Sequence, residues 1–411
     1  LTKNPAAYDA YLRGRALQTR GIASLPEAIK LLEKAKTLDP AFALAWASLA
    51  EAKFTRFVYS RDQSPELISE TRALIDRALE LQPKLPQALI VRANWARRGN
   101  LAHAAAQRDL AHAEALHPAT PELRNNQAFV ARDLGRWDDA FRFSREMVQL
   151  DPNNAERIRG HANGIFWRKG LYAEADRLLA RAVANRDSLY DRVMLRLIWR
   201  GPADALKLLD GAVADSAEGK MLRIDLLLAM NRQSEAGALA AEAESDLMAV
   251  ETKGQVYFRI GAPLNRLVAL GRNDEARRLA AEMRASALQE LDRGNRAGNL
   301  RSEFIRAEIA LGHRDAAMAA LDQWRRESQL MRNDHQRLQE FTSRAVQLFA
   351  CLGQADPVIA LLQEFATGGL QFPMSLRYDP EFALIRSDPR FQELMRQQEA
   401  WAKAQPDPVD P

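Results

Sequence analysis

Residues 119–152 read ATPELRNNQAFVARDLGRWDDAFRFSREMVQLDP, a pattern of two amphipathic helices joined by a Leu134-Gly135-Arg136 turn. Ala128 opens room on the first helix, and Gly135 is placed to end it in the left-handed conformation that costs glycine nothing. Trp137 and Ala140 start the second helix, and Met147 with Leu150 are expected to finish its buried face. Asp151-Pro152 stops it, because proline restricts the residue before it and lacks the next helical N–H. Pro118 stands 34 residues before Pro152. One such pair cannot bury its own apolar face, so a chain that repeats it must stack the copies.

The repeat runs backwards from this stretch. Pro40, Pro83, Pro118 and Pro152 mark unit ends spaced by 43, 35 and 34 residues. In the first unit Tyr8, Tyr11, Leu12 and Gly14 are read on one helix face, with Ala28, Leu31, Leu32 and Ala35 facing back. The second carries Trp46, Leu49, Ala50, Leu74 and Ala78, with an insertion near Arg61–Glu66. The third has Ala93, Ala96, Gly99, Ala106 and Leu110, and a fifth follows with Ala162, Gly170, Ala175 and Leu179. A small residue, Gly, Ala, a bulky residue and Pro recur in that order, as in Ala128, Gly135, Ala140, Met147 and Pro152. This pattern resembles the tetratricopeptide repeat. The resemblance implies an all-α solenoid, a right-handed superhelix of about ten helix-turn-helix repeats closed by a C-terminal capping segment.

Residues 1–187 are read as well-formed repeats and 188–370 as divergent ones. The turns at Gly201-Pro202, Asn231-Arg232, Gly271-Arg272, Gly312-His313 and Gly353-Gln354 keep one design, a helix-ending Gly or Asn followed by acidic residues. About five further pairs are expected there. Residues 371–404 are read as capping helices, with Asp379-Pro380 and Asp388-Pro389 each starting a helix that tucks in a Phe, and 405–411 as a disordered tail. That tail, together with the opening NPAAYDAYLRG, resembles the C-terminal repeat region of bacterial multidomain regulators. In those a winged-helix, cyclase or kinase effector comes first. The initial Leu1 fits an excerpt of such a longer protein. The expected compartment is the cytoplasm, or the periplasm if an upstream transmembrane helix tethers the chain.

Composition fits a scaffold. Among 411 residues, 47% are hydrophobic and 27% charged, and the net charge is only +4 at a pI near 9.2. The basic excess is spread rather than clustered, so nucleic acid is not expected through this region. No apolar run reaches the length of a membrane span, and no membrane contact is expected. The single Cys351 excludes an intramolecular disulfide and reads as a small core residue. Phosphate-loop, nucleophile-elbow, HExxH and paired CxxC signatures are absent, so neither an enzyme nor a cofactor is expected. His103, His112 and His117 are too poorly spaced to share a metal.

The candidate site comes from the repeat alignment. In tetratricopeptide arrays the first helix of each pair lines the concave wall. That places Asn94, Arg97 and Arg98 on it in the third unit, Asn125, Phe129 and Arg132 in the fourth, and Arg159, Asn163 and Phe166 in the fifth. Asn can bridge a peptide backbone with a donor and an acceptor, Arg can hold a carboxylate, and Phe offers an apolar shelf. Some members of the family clamp a partner's C-terminal carboxylate. Asn94 and Asn126 stand near two of the clamp positions, but Ile90, Glu156 and Gly160 occupy the basic ones. Phe54, Phe57, Val58 and Tyr59 form a second cluster, either packed inward or protruding as a contact patch. The expectation is a non-enzymatic scaffold for a protein or peptide partner, the regulatory half of a bacterial signalling or transcription regulator. The rivals are an RNA- or DNA-binding helical repeat and an enzyme with an unrecognised site.

Overall fold

The computed structural model describes residues 2–18, 22–59, 64–98, 102–117, 119–182, 186–209, 215–243, 263–293, 298–329, 335–367 and 374–404. The tail 405–411 and residues 61–63 of the expected insertion lie outside them. Every regular element among the described residues is helical. The chain forms two compact units, one built on residues 1–152 with 290–297 and 333–336, the other on the remainder.

The first unit stacks four antiparallel pairs: α1 (Pro5–Gln18) with α2 (Leu25–Leu38), α3 (Ala43–Tyr59) with α4 (Pro65–Leu81), α5 (Pro86–Arg98) with α6 (His103–Leu116), and α7 (Pro121–Asp133) with α8 (Trp137–Leu150). The second helices share one ending. Asp39, Gln82 and His117 are extended and Asp151 leaves the helical region with ψ of 67°, and each donates its amide N–H to Ala35, Ala78, Ala113 or Met147 four residues back. The proline that follows each of them keeps it out of the helical region. Starts are set by chemistry as well: Pro121 occupies the first turn of α7, and the Thr120 hydroxyl accepts the Leu123 N–H at 3.2 Å.

Turns within pairs are built around a left-handed residue. Gly135 has φ of 72°, and Arg136 donates back to the Ala131 carbonyl at 2.8 Å. The same closure recurs at Gly170, Asn231, Gly271, Gly312 and Gly353, through Leu171 to Phe166, Arg232 to Leu227, Arg272 to Leu267, His313 to Glu308 and Gln354 to Phe349. At Gly312 an added Cβ would meet open space. Gly312→Ala should therefore report backbone strain alone, a loss of about 1–2 kcal/mol measured by thermal melting. A change below about 0.3 kcal/mol, well under that estimate, would show the turn does not need its left-handed residue.

Two sequence expectations about packing are corrected. In α1 the buried seam is Ala7, Ala10 and Gly14, whereas Tyr8 is 38% and Leu12 47% exposed. The helices approach so closely that a Cβ on Gly14 would lie 2.8 Å from Leu32, which admits only small residues at the seam. In α8 the buried face is Ala140, Ser144, Met147 and Val148, and Leu150 is 45% exposed. The aromatic cluster of α3 turns inward: Phe54 and Phe57 are buried and pack their rings against Trp95 of α5.

The second unit continues the plan with irregular members. Its first pair breaks after α9 (Ala155–His161) into a π-turn at Ala162–Phe166 and a short 3₁₀ turn before α10 (Tyr172–Arg181). Gly160, Asn163 and Gly164 all weaken the α-helix there. Then come α11 (Arg186–Arg200) with the short α12 (Pro202–Leu206), and α13 (Ala217–Ala229) with α14 (Gln233–Glu242). Further pairs occupy Pro263–Ala269 and Asn273–Asp292, Gly298–Ala310 and Arg314–Gln329, and His335–Cys351 and Ala355–Thr367. Among the described residues the chain is thus an all-α array of helix pairs.

The C-terminal segment does more than cover the last pair. Its helix Pro389–Lys403 packs on Ala355–Thr367, and the turn Met374–Arg377 packs on α11, near the start of the same unit. Trp199 donates its indole N–H to the Ala402 carbonyl at 3.3 Å, and Trp401 meets Tyr172 edge to face. Asp388-Pro389 starts a helix as expected, whereas Asp379-Pro380 opens only a three-residue 3₁₀ turn. Asp379 and Asp388 accept the N–H of Glu381 and Arg390, and Phe382 and Phe391 stack at 5.5 Å in the core. Cys351 is half-buried, and burial pushes its thiol up to about 11, so it stays protonated and unreactive at neutral pH.

Candidate partner-binding wall

In the first unit α3 packs on α5 and α5 on α7, so the first helices of successive pairs lie side by side. On this wall Asn94, Arg98, Asn125 and Phe129 are half-exposed. Beneath them lies a buried ionic layer. Arg97 donates to Asp133 Oδ2 at 2.8 Å across one repeat, and Arg132 reaches Asp133 Oδ1 at 2.6 Å. Phe129 lies against both guanidinium groups, 5.6 Å from that of Arg97 and 4.9 Å from that of Arg132. Burial alone would raise the Asp133 carboxyl, but the flanking Arg132 and Arg97 more than reverse this and hold it at about 2.

Of the predicted residues, Asn94, Arg98, Asn125 and Phe129 therefore keep surface, while Arg97 and Arg132 are buried supports for it. Asn126 is buried as well, and its side chain donates to the Glu122 carbonyl of its own helix at 2.8 Å. Arg92, unremarked in the sequence, forms a two-pronged pair with Asp109 of α6 at 2.7 and 2.8 Å, tying the wall to the outer helix.

In the second unit two of the three predicted residues turn inward. Arg159 is buried and pairs with Asp191 at 3.0 Å and with Glu156 at 3.1 Å. Asn163 donates to the same Asp191 at 2.6 Å. Phe166 is fully buried, because the π-turn rotates it into the core. Arg159 and Phe166 do not offer the open contact the repeat alignment implies, while Asn163 stays half-buried with its amide tied to Asp191. Similar buried pairs follow along the unit: Arg192 and Arg196 on Asp176, Arg196 on Asp204, and Arg266 on Asp225.

This ladder was not anticipated. Its signal is an Arg on one first helix and an Asp about one period away, as in Arg97 and Asp133 or Arg159 and Asp191. Among the described residues no group of His, Cys, Asp and Glu is placed to hold a metal ion, and no helix is long and apolar enough to cross a membrane.

No protein-family model matches the chain, and no curated protein matches it. Solved structures do. Pseudomonas aeruginosa pilF is 16% identical with a TM-score of 0.33, the match covering 60% of this chain and 93% of that one. A thermophilic TPR protein of Thermus thermophilus is 20% identical with a TM-score of 0.38, over 49% of this chain and 100% of that one. The human IFIT1 dimer with PPP-AAAA is 12% identical with a TM-score of 0.47, over 78% of this chain and 73% of that one.

Proposed function

We propose that the chain is a non-enzymatic scaffold that binds a protein or peptide partner on the wall made by α3, α5 and α7. The observation that carries this reading is the placement of half-exposed amide, guanidinium and phenyl groups over a buried Arg97–Asp133–Arg132 layer. Such a layer holds the presenting helices in one arrangement, which lowers the ordering cost of binding. Asn94 and Asn125 supply paired donors and acceptors for an extended backbone, and Phe129 supplies an apolar shelf. The end motifs shared with bacterial multidomain regulators support a place as the recognition half of a signalling or transcription regulator.

The acidic partners of the arginines work against a nucleic-acid reading. Asp133, Asp191, Asp176 and Asp225 neutralise guanidinium groups that would otherwise meet phosphates.

Panning the full-length chain against a displayed peptide library tests the proposal. Peptides recovered on the wild type should bind the Asn94→Ala, Arg98→Ala, Asn125→Ala, Phe129→Ala variant about tenfold or more weakly, a loss of at least about 1.4 kcal/mol, at unchanged helicity. Equal affinity in that variant would remove the wall as the site.

A further inference from the structure

The turn Tyr378-Asp379-Pro380-Glu381-Phe382 belongs to no helix pair, yet first helices of several pairs meet its polar side chains. Asp379 is 3% and Glu381 7% exposed. Glu381 forms an ion pair with Arg306 of Gly298–Ala310 and accepts from Asn265 of Pro263–Ala269 at 2.7 Å. Its Oε2 is buried without a hydrogen-bond partner. Asp379 Oδ2 lies 3.5 Å from the Gln347 amide of His335–Cys351, and its main-chain carbonyl accepts from Arg386 at 2.7 Å.

Among the described residues the Asp379 carboxyl is bonded by the Glu381 N–H at 3.0 Å and the Gln347 amide at 3.5 Å, and by no guanidinium. Arg266 donates to both carboxylate oxygens of Asp225 of α13 at 2.8 and 2.9 Å. Arg306 is bonded to Glu381 and lies near Asp379, Glu303, Arg344 and Cys351, so its charge is committed to Glu381 first. Arg386 is exposed and spends its bond on a main-chain oxygen. A second dry carboxylate is expensive, and a neutral acid is the cheaper state. In keeping with this, burial pushes the Asp379 carboxyl up to about 7, with Asp225 adding to the rise and Arg306, Gln347 and Arg386 opposing it.

We propose that residues 374–388 are a latch over the inner wall of the second unit, closed by a proton taken up on the Asp379–Glu381 pair and opened as that proton leaves. The step is protonation of one carboxylate to a carboxylic acid, and solvent supplies the proton. Undocked, Asp379 returns to an ordinary value near 3.8, so docking takes up a proton between that value and about 7. The extra stability is full below the ordinary value and is lost as pH rises through the docked one. Opening bares Asn265, Arg306 and Gln347, a set of donors suited to an acidic segment of a partner.

Hydrogen exchange by mass spectrometry on the full chain, with a synthetic 374–388 peptide supplying intrinsic rates, reads the latch directly. Protection of 374–388 should fall about tenfold or more between pH 5.5 and pH 8, while α13 and Gly298–Ala310 hold theirs. Asp379→Asn keeps the helix-start acceptor but cannot ionise, so its protection should be the same at both pH values. Wild-type protection that does not change with pH, or an Asp379→Asn variant that follows the wild type, overturns the proposal. If circular dichroism shows that variant unfolded, the wild-type comparison decides alone.

Discussion

Replacing Asp133 by Ala should cost about 3–5 kcal/mol in denaturant unfolding, the largest effect expected of any wall residue. The substitution removes the carboxylate that pairs with both Arg97 and Arg132 in a buried layer. Removing all three charges together, as Arg97→Met, Arg132→Met, Asp133→Leu, should cost far less, because no ion is then left unpaired. The pair of measurements separates a stabilising salt bridge from a buried charge that merely needs its partner. A small loss in the single variant, comparable to that of the triple, would mean that solvent enters the layer. The pH response has a definite sign. Asp133 is depressed from 3.8 to about 2, so its contribution is complete above pH 3.8 and disappears as pH falls through about 2. Mild acid should leave the first unit intact while it tightens the latch of the second.

Phe382→Ala is the second large effect. Phe382 is fully buried, stacks on Phe391 at 5.5 Å and shares a core with Phe341, Leu348 and Phe349. Its truncation should cost about 3–5 kcal/mol through lost transfer and the cavity left behind. The loss should appear locally as tryptic cleavage at Arg377 and Arg386, both already exposed. Leu384 lies two residues on but points outward, and Leu384→Ala should stay within about 0.5 kcal/mol. Equal effects at the two positions would mean that the segment is held by its ends, through Trp199 and Ala402, and not by its turn.

Helix pairs, their limits and their turns were legible because local chemistry decides them. Proline acts on the residue before it, and a left-handed position selects Gly or Asn whatever surrounds it, so Pro152, Gly135 and Asn231 carry their meaning within a few residues. The period followed from the same signals. Only the folded chain decided which side chains of the wall meet solvent. Arg97, Arg132 and Arg159 look like open cations along the sequence, yet each finds a carboxylate on its own or a neighbouring helix. Phe166 is turned inward by a π-turn that helical spacing cannot foresee. The destination of Asp379 and Glu381 was likewise invisible. Their partners Asn265, Arg306 and Gln347 are separated from them by whole repeats, and that proximity exists only after the array has closed on its own C-terminal segment.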